Sequence, residues 1–224
     1  MSFLLIISTK GSKLIMLTIE LFGISRTGKT STLRNLASHF EANGERCEII
    51  GRAPIDFKSC RDLEDFHQKM LLYLEQRIPE AQERKPHYLL MDRGPYDRQV
   101  MLEADHQDGK VGDQVYRDAT QRLLSLEPKI DIPLIFLVDP TTSLARIGSQ
   151  RDEGLDYSHM CVGLNTRDNV AELGRLFDQY SALQRAKKGI ISVYTGGSAT
   201  DTLQSALRVI ASTKVKNNGE HTQS

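Results

Sequence analysis

The stretch IELFGISRTGKTST, residues 19–32, places two glycines, a lysine and several hydroxyl residues directly behind an apolar run. Gly23, four further residues and then Gly28, Lys29 and Thr30 match the pattern G-x-x-x-x-G-K-[ST], between a predicted strand and a predicted helix. Glycines let backbone N–H groups turn toward phosphate oxygens, the lysine neutralises phosphate charge, and the threonine hydroxyl is a natural magnesium ligand. The pattern predicts a phosphate-binding loop, with a glycine-rich turn without a ligand as the weaker alternative. The binding residues it predicts are Gly23, Ile24, Ser25, Arg26, Thr27, Gly28, Lys29, Thr30 and Ser31.

Apolar, β-rich runs alternate with helical patterns along the rest of the chain. Strands are predicted over 17–23, 47–51, 87–92, 132–139 and 190–196, and helices over 29–44, 63–83, 98–104, 113–126, 141–150 and 168–188. Near-continuous apolar strands separated by helices are typical of a parallel sheet covered on both faces. We therefore predict one three-layer α/β domain over residues 16–212. Residues 1–15 are interpreted as an N-terminal extension or an artefact of start-site choice, and 213–224 as a flexible polar tail.

The composition narrows the class of protein. The chain has 224 residues, of which 39% are hydrophobic and 26% charged, and this suits a single α/β domain. Its 29 basic and 29 acidic residues balance, which argues against nucleic acid as a partner. Three cysteines without a C-x-x-C pair argue against zinc or redox chemistry and favour a cytoplasmic protein. No apolar run is long enough to predict a membrane span.

A second informative stretch is HYLLMDRGPYDRQ, residues 87–99, in which an apolar strand ends in Asp92. A carboxylate at such a strand end lies beside the phosphate-binding loop, where it can hold magnesium or its water. Arg93 follows at once and is expected to face the same crevice. The alternative is a helix N-terminal turn, in which Gly94 breaks the strand and Asp97 stabilises the helix behind it.

Three segments carry a family resemblance. GISRTGKTS (23–31), MDRG (91–94) and FLVDPTTSLARIGSQRDEG (136–154) resemble, in order and spacing, thymidylate kinase and the deoxynucleoside kinases of the P-loop kinase group. The resemblance runs from about residue 16 to residue 212. It implies an α/β P-loop kinase-like domain with five parallel strands in the order 2-3-1-4-5, an arginine-bearing lid, and the use of ATP and Mg²⁺.

The resemblance also implies roles for the two motifs. Lys29 and Thr30 would bind the ATP phosphates and magnesium, while Asp92 and Arg93 would face the magnesium and the acceptor. The metal ligands predicted in this way are Thr30 and Asp92, and Lys29, Asp92 and Arg93 belong to the predicted catalytic set.

Two further catalytic residues, Arg146 and Arg151, would come from the lid. Arginines on a mobile segment can close over a transferring phosphoryl group, stabilise its charge and exclude water, whereas a solvated helix face is the alternative for both. The later segment YTGGSATD (194–201) resembles a loop that lies near the adenine in such kinases. It can equally be a plain turn with Thr200 or Asp201 as the helix cap.

The segment GRAPIDF (51–57) departs from the family pattern. At this place thymidylate kinase carries Arg-Glu-Pro-Gly and deoxynucleoside kinases carry a glutamate that acts as the base, whereas this chain has Ala53. Asp56 could substitute for the missing carboxylate only with a shift of two or three residues. Phe57 could stack on the acceptor, although aromatic residues at helical spacing more often belong to the core. The predicted substrate-binding residues are Arg52, Asp56, Phe57 and Arg93.

Together these patterns predict magnesium-dependent transfer of the ATP γ-phosphoryl group to a small acceptor, either a nucleoside monophosphate or a nucleoside. The missing glutamate and the two arginines, Arg52 and Arg93, favour the monophosphate. Two alternatives remain: a P-loop ATPase or nucleotide switch acting on a macromolecular partner, and a kinase of polynucleotide ends. A homodimer is compatible with all of these.

Overall fold

The chain alternates strands and helices as its sequence pattern predicts. The computed structural model describes residues 16–152 and 170–220. Its strands are β1 (Leu17–Phe22), β2 (Cys47–Ile50), β3 (Tyr88–Asp92), β4 (Ile132–Phe136) and β5 (Ile191–Val193). Its α-helices are α1 (Lys29–Ala42), α2 (Leu63–Glu83), α3 (Pro95–Gln107), α4 (Asp113–Leu126), α5 (Pro140–Asp152), α6 (Val170–Ala186) and α7 (Ala199–Glu220).

The five strands form one parallel sheet in the order β2-β3-β1-β4-β5, which confirms the predicted strand order. β1 is the central strand, with Ile19 beside Leu90 of β3 and Ile132 of β4. Because every connection crosses over, the carboxyl ends of all five strands lie at one edge of the sheet.

Side chains of β1 alternate between two cores. Ile19 and Leu21 pack with α1 and α7 on one face, and Phe22 packs with α3 and α6 on the other. Thr18 and Glu20 share the face of Phe22 because successive side chains of a strand point to opposite sides. Both are completely buried. The central strand therefore carries a carboxyl group into the interior.

Several element ends differ from the predictions. β4 ends at Phe136 because Asp139, predicted as the last strand residue, accepts hydrogen bonds from the backbone N–H groups of Thr141 (2.9 Å) and Thr142 (3.2 Å) at the start of α5. Helix α7 continues to Glu220 and so includes residues 213–220 of the predicted polar tail. Residues 1–15, 153–169 and 221–224 lie outside the described residues. Among the described helices, none combines the length and the apolar character needed to cross a bilayer.

The first glycine of the phosphate-binding loop is required by close packing. Gly23 has a φ of 128°, and a Cβ atom at this position would lie 2.1 Å from the carbonyl oxygen of Phe136 at the end of β4. Only glycine tolerates both the backbone conformation and this approach. The first residue of the loop after β1 therefore packs directly against the backbone of the neighbouring strand β4.

We expect Gly23→Ala to lower the free energy of unfolding well beyond the effect of backbone strain, because β1 and β4 must separate to admit the new methyl group. Gly44→Ala is the matched control, since Gly44 also has a positive φ, 76°, but a Cβ atom there would meet no other atom within 4 Å. That control should cost about 1–2 kcal/mol. Urea denaturation of both variants measures the difference, and equal stabilities would contradict the packing argument.

Candidate active site

The residues predicted for the two motifs meet at the carboxyl edge of the sheet. The phosphate-binding loop, residues 23–28, follows the central strand β1. Asp92 ends β3 on one side of it, and helix α5 follows β4 on the other side. The loop thus lies between the Asp-Arg motif and the helix that carries Arg146.

The loop directs two of its carbonyl groups toward α5. The buried hydroxyl of Ser143 donates to the carbonyl oxygen of Ser25 (2.8 Å), and Arg146 Nη1 donates to that of Arg26 (3.2 Å). In a trans peptide the C=O and the following N–H point in opposite directions. The N–H groups that follow these carbonyls therefore point away from α5. Arg26 itself has a φ of 57°, the left-handed conformation found in backbone nests that bind anions.

Lys29 is buried inside this loop, with only 4% of its surface exposed. Its Nζ donates to Thr27 Oγ1 (3.1 Å) and to the carbonyl oxygen of Ile24. Burial holds the pKa of Lys29 well below its ordinary value, and repulsion from Arg93 adds to this, while Asp97 and Asp92 oppose it. An anionic ligand in the loop would favour the charged ammonium.

Asp92 and Thr30 present oxygen ligands beside Lys29. Asp92 Oδ2 accepts a hydrogen bond from Thr30 Oγ1 (2.8 Å) and lies 3.7 Å from Arg52 Nε. Asp92 Oδ1 is buried and has no hydrogen-bond partner in the described part of the chain. A buried carboxylate oxygen without a donor is costly, and hydroxyl and carboxylate oxygens suit Mg²⁺. These two residues therefore fit a magnesium ion that takes its other ligands from phosphate and water.

The pair is not part of a larger cluster of metal-binding side chains. Within residues 16–152 and 170–220, no group of three or more His, Cys, Asp or Glu side chains could hold a metal ion by itself. A site with one carboxylate is typical of Mg²⁺ bound together with substrate phosphates.

Arg93 is fixed in the crevice by Asp97. Arg93 Nη1 donates to both carboxylate oxygens of Asp97, at 2.9 and 3.1 Å, and Asp97 also accepts from Arg98 Nη2 (2.5 Å) and from the Tyr180 hydroxyl (2.7 Å). Asp97 is completely buried. Although burial by itself raises the pKa of Asp97, Arg93 and Arg98 hold it well below its usual range. The carboxylate stays ionised and orients the guanidinium group of Arg93.

Glu20 is a buried residue of this region that the motifs did not predict. Its two oxygens accept hydrogen bonds from the backbone N–H groups of Gly94 (2.9 Å), Tyr96 (3.1 Å) and Asp97 (2.9 Å). Burial raises the pKa of Glu20 to about 8, although the three backbone donors act in the opposite direction. The signal in the sequence was a glutamate inside a predicted central strand, at an alternation position that faces the core.

Arg146 lies against the phosphate-binding loop. Besides the bond to Arg26, its Nη2 donates to the carbonyl oxygen of Thr195 (3.0 Å) in the loop after β5. Both Nη atoms thus contact backbone carbonyls, and a lid role for Arg146 would require it to leave them. Arg151 lies in α5, but its side chain lies outside the described residues.

The predicted acceptor residues after β2 are only partly brought to the site. Arg52 approaches Asp92, as described above, and is about half exposed. The Asp56 side chain is exposed and accepts from the backbone N–H of Lys58 (3.0 Å), so it caps a short 3-10 helix, Phe57–Ser59. The side chain of Phe57 lies outside the described residues.

The loop after β5 ends in a reciprocal helix cap. The Ser198 backbone N–H donates to Asp201 Oδ2 (2.9 Å), and the Asp201 N–H donates to Ser198 Oγ (3.1 Å). This capping box starts α7. The N-cap residue is therefore Ser198 and not Thr200 or Asp201, the two predicted caps, although Asp201 takes part as the partner of Ser198.

Solved structures of similar fold were identified by comparison of the whole chain. A deoxyadenosine kinase from M. mycoides with bound dATP has a TM-score of 0.62 at 13% identity, covering 87% of this chain and 100% of that chain. Structures of a deoxyadenosine kinase from M. mycoides with the products dCMP and a flexible dCDP, and with bound dCTP, have TM-scores of 0.59 at 14% and 13% identity, each covering 88% of this chain and 100% of that chain. No protein-family model matches the sequence, and neither does any curated protein.

This chain has the fold of those kinases. At such low identity the likeness concerns the architecture alone, so any activity must be argued from the side chains at the carboxyl edge of the sheet.

If the loop holds ATP, as its sequence predicts, Arg146→Ala should weaken that binding about tenfold, because the carbonyl of Arg26 loses its donor and the loop loses its orientation. Arg208→Ala, which removes an exposed arginine of α7, is the control. Titration calorimetry measures both affinities. Unchanged ATP affinity in the Arg146 variant would favour the lid role over an anchoring role.

Glu20 should also make stability depend on pH. Its pKa is about 8 in the folded protein and 4.5 ordinarily, so between these values the folded state holds a proton that the unfolded chain has released. Stability contributed by this group consequently falls as the pH rises from about 5 to 8. Glu20→Gln should flatten the slope in urea denaturation, and replacing the exposed Glu83 with Gln should not. Identical slopes in wild type and Glu20→Gln would disprove the raised pKa.

Proposed function

We propose that this protein is an ATP- and magnesium-dependent kinase that transfers the γ-phosphoryl group to a nucleoside monophosphate or a nucleoside. The observation that carries the proposal is the contact between Thr30 and Asp92 beside the buried Lys29. It joins a phosphate-binding loop to a carboxylate whose second oxygen has no partner among the described residues. That combination suits a metal-bound polyphosphate.

Each residue has a role in the proposed reaction. The loop N–H groups and Lys29 hold the phosphates, and Thr30 and Asp92 hold Mg²⁺. When bound, the metal neutralises charge on the phosphate oxygens. The bond between the γ-phosphorus and its bridging oxygen breaks, so that ADP leaves, and a bond from the γ-phosphorus to the acceptor oxygen forms. Where the acceptor is a hydroxyl, its proton is released to solvent water. Arg93 binds the acceptor, and the predicted lid residue Arg151 stabilises the charge of the transferring group.

Arginines on the predicted acceptor side support an anionic acceptor. Arg93 and Arg52 are among the charged neighbours of Lys29, together with Asp97 and Asp92. Guanidinium groups match phosphate oxygens, and Asp56 is engaged in a turn cap, so the carboxylate predicted as a substitute base is not poised for that role. These two observations favour a monophosphate acceptor, which needs no base. The deoxyadenosine kinase fold supports the nucleoside alternative.

The cellular compartment and the oligomeric state are proposed from the sequence. We propose a cytoplasmic protein, because Cys47 and Cys60 are free thiols. A homodimer stays a prediction.

An ATP-consumption assay over a panel of nucleosides, nucleoside monophosphates and other small alcohols tests the proposal, with products identified by mass. We expect a monophosphate to be converted to its diphosphate faster than its parent nucleoside is phosphorylated. Phosphorylation of a nucleoside alone would refute the acceptor preference. Hydrolysis without any phosphorylated product would favour the ATPase alternative, and salt-sensitive phosphorylation of oligonucleotides would favour the polynucleotide kinase.

Lys29→Ala should lower the transfer rate by on the order of a hundredfold or more, because a preorganised charge on the phosphates is lost. The exposed Lys188→Ala is the control, and circular dichroism checks that the fold is retained. Turnover near the wild-type rate would remove Lys29 from the proposed mechanism.

Asp92→Asn should raise the Mg²⁺ concentration needed for half-maximal rate, because an amide offers one neutral oxygen in place of a carboxylate. Asp131→Asn is the control: Asp131 is an exposed residue directly before β4, away from the phosphate-binding loop, and it accepts a hydrogen bond from the Thr18 N–H (2.7 Å). Rates measured over a magnesium titration distinguish the two. An unchanged requirement in Asp92→Asn would place the metal elsewhere.

A further inference from the structure

Helix α3 begins without a capping side chain of its own. Its N-cap residue is Gly94, and the residue at the first helical position is Pro95, which has no N–H. The first helical hydrogen bond in this turn is donated by the N–H of Arg98 to the carbonyl of Gly94 (3.1 Å). Three N–H groups, those of Gly94, Tyr96 and Asp97, are therefore left to be satisfied from elsewhere.

Glu20 of β1 satisfies all three of them. Oε1 accepts from Gly94 and Asp97, and Oε2 accepts from Tyr96. The carboxyl group thus replaces the missing cap from a residue more than 70 positions away in sequence. Its carboxyl oxygens, partially negative in either protonation state, also face the positive end of the α3 dipole.

The fit between Glu20 and this turn is tight. A Cβ atom on Gly94 would lie 2.7 Å from Glu20 Oε2 and 2.9 Å from its carboxyl carbon. Glycine at position 94 is therefore needed for the approach. A glutamine at position 20 would point an N–H toward one of the backbone N–H groups and lose at least one of the three bonds.

The anchored turn carries the acceptor-side arginine. Arg93 directly precedes Gly94, has a φ of 70°, and is tied to β1 by a bond from its N–H to the carbonyl of Leu21 (3.1 Å). Its guanidinium group is held by Asp97, whose own N–H is bound by Glu20. Glu20 consequently fixes the backbone segment that joins the two members of the Arg93–Asp97 ion pair.

We propose that Glu20 is a positioning residue for Arg93: its buried carboxyl group anchors the first turn of α3, and Arg93 acts on the acceptor only from that anchored turn. The proposal rests on the proposed kinase function for its catalytic readout. The phosphate-binding loop has separate anchors on α5, so the contribution of Glu20 concerns the acceptor side and not ATP.

A double-mutant cycle tests the proposal. Glu20→Gln lowers kcat/KM for the acceptor by on the order of tenfold to a hundredfold, with the KM for ATP unchanged. In an Arg93→Ala background the same change has little further effect, because the residue through which it acts is absent. Thr18→Val, on the same face of β1, leaves both parameters unchanged. Additive losses from Glu20→Gln and Arg93→Ala overturn the proposal, as does a loss confined to the KM for ATP.

A second measurement does not depend on activity. In ¹⁵N-labelled protein, Glu20→Gln should shift the Nε–Hε signal of Arg93 and speed hydrogen exchange at Gly94, Tyr96 and Asp97. Thr18→Val should change neither. If wild type transfers phosphate to no acceptor, the proposed function fails, and this measurement alone decides the role of Glu20. An unchanged Arg93 signal in Glu20→Gln overturns the proposal whatever the activity.

Discussion

A backbone loop can offer its N–H groups to a ligand only when the opposing carbonyl groups are satisfied elsewhere. In this protein the donors come largely from α5, whose Ser143 and Arg146 bind the carbonyls of Ser25 and Arg26. The loop is therefore set by the packing of a helix more than a hundred residues further along the chain. The same helix reaches the loop after β5 through Arg146. Three segments at the carboxyl edge of the sheet depend on this one set of contacts.

The second constraint is the burial of charge at the same edge. Asp97 is completely buried and is kept ionised by arginines, while Lys29 is buried with its charge disfavoured. Unpaired buried charges are strongly unfavourable, so each charged group of this cluster requires a partner in the protein or in a bound ligand. Asp92 Oδ1 and Lys29 are the groups that the proposed metal ion and phosphates would stabilise most. The electrostatics of these two residues therefore support the ligand proposed for the site.

The fold was predictable because its signals are local. Apolar strands alternate with helices, and the glycine-lysine-threonine spacing places the loop between β1 and α1. Thr30 and Asp92 were expected at the same edge of the sheet, and they lie in contact because Asp92 ends β3 and Thr30 follows the loop after the neighbouring strand β1. The predicted ends of the strands and helices were less accurate. Asp139 was predicted as the last residue of β4 but caps α5, and strand periodicity does not reveal such a side-chain interaction.

The contacts that were missed depend on tertiary packing. The position of Arg146 follows from the way α5 packs on the loop, and no spacing rule gives it. Glu20 lies inside a predicted strand, but the sequence does not reveal its role. Its partners are backbone groups of helix α3, which only the strand order of the sheet brings beside β1. The prediction of the acceptor concerns the segment after β2, where the sequence departs from the kinases it resembles.

The fate of the γ-phosphoryl group tests the central claim most directly. ATP labelled with ¹⁸O in its γ-phosphoryl group is incubated with the protein, Mg²⁺ and a mixture of nucleosides and nucleoside monophosphates, and the products are resolved by mass spectrometry. The proposed kinase function predicts that the three labelled oxygens move together onto an organic acceptor. Label recovered only in inorganic phosphate, or retained in ATP, would contradict it.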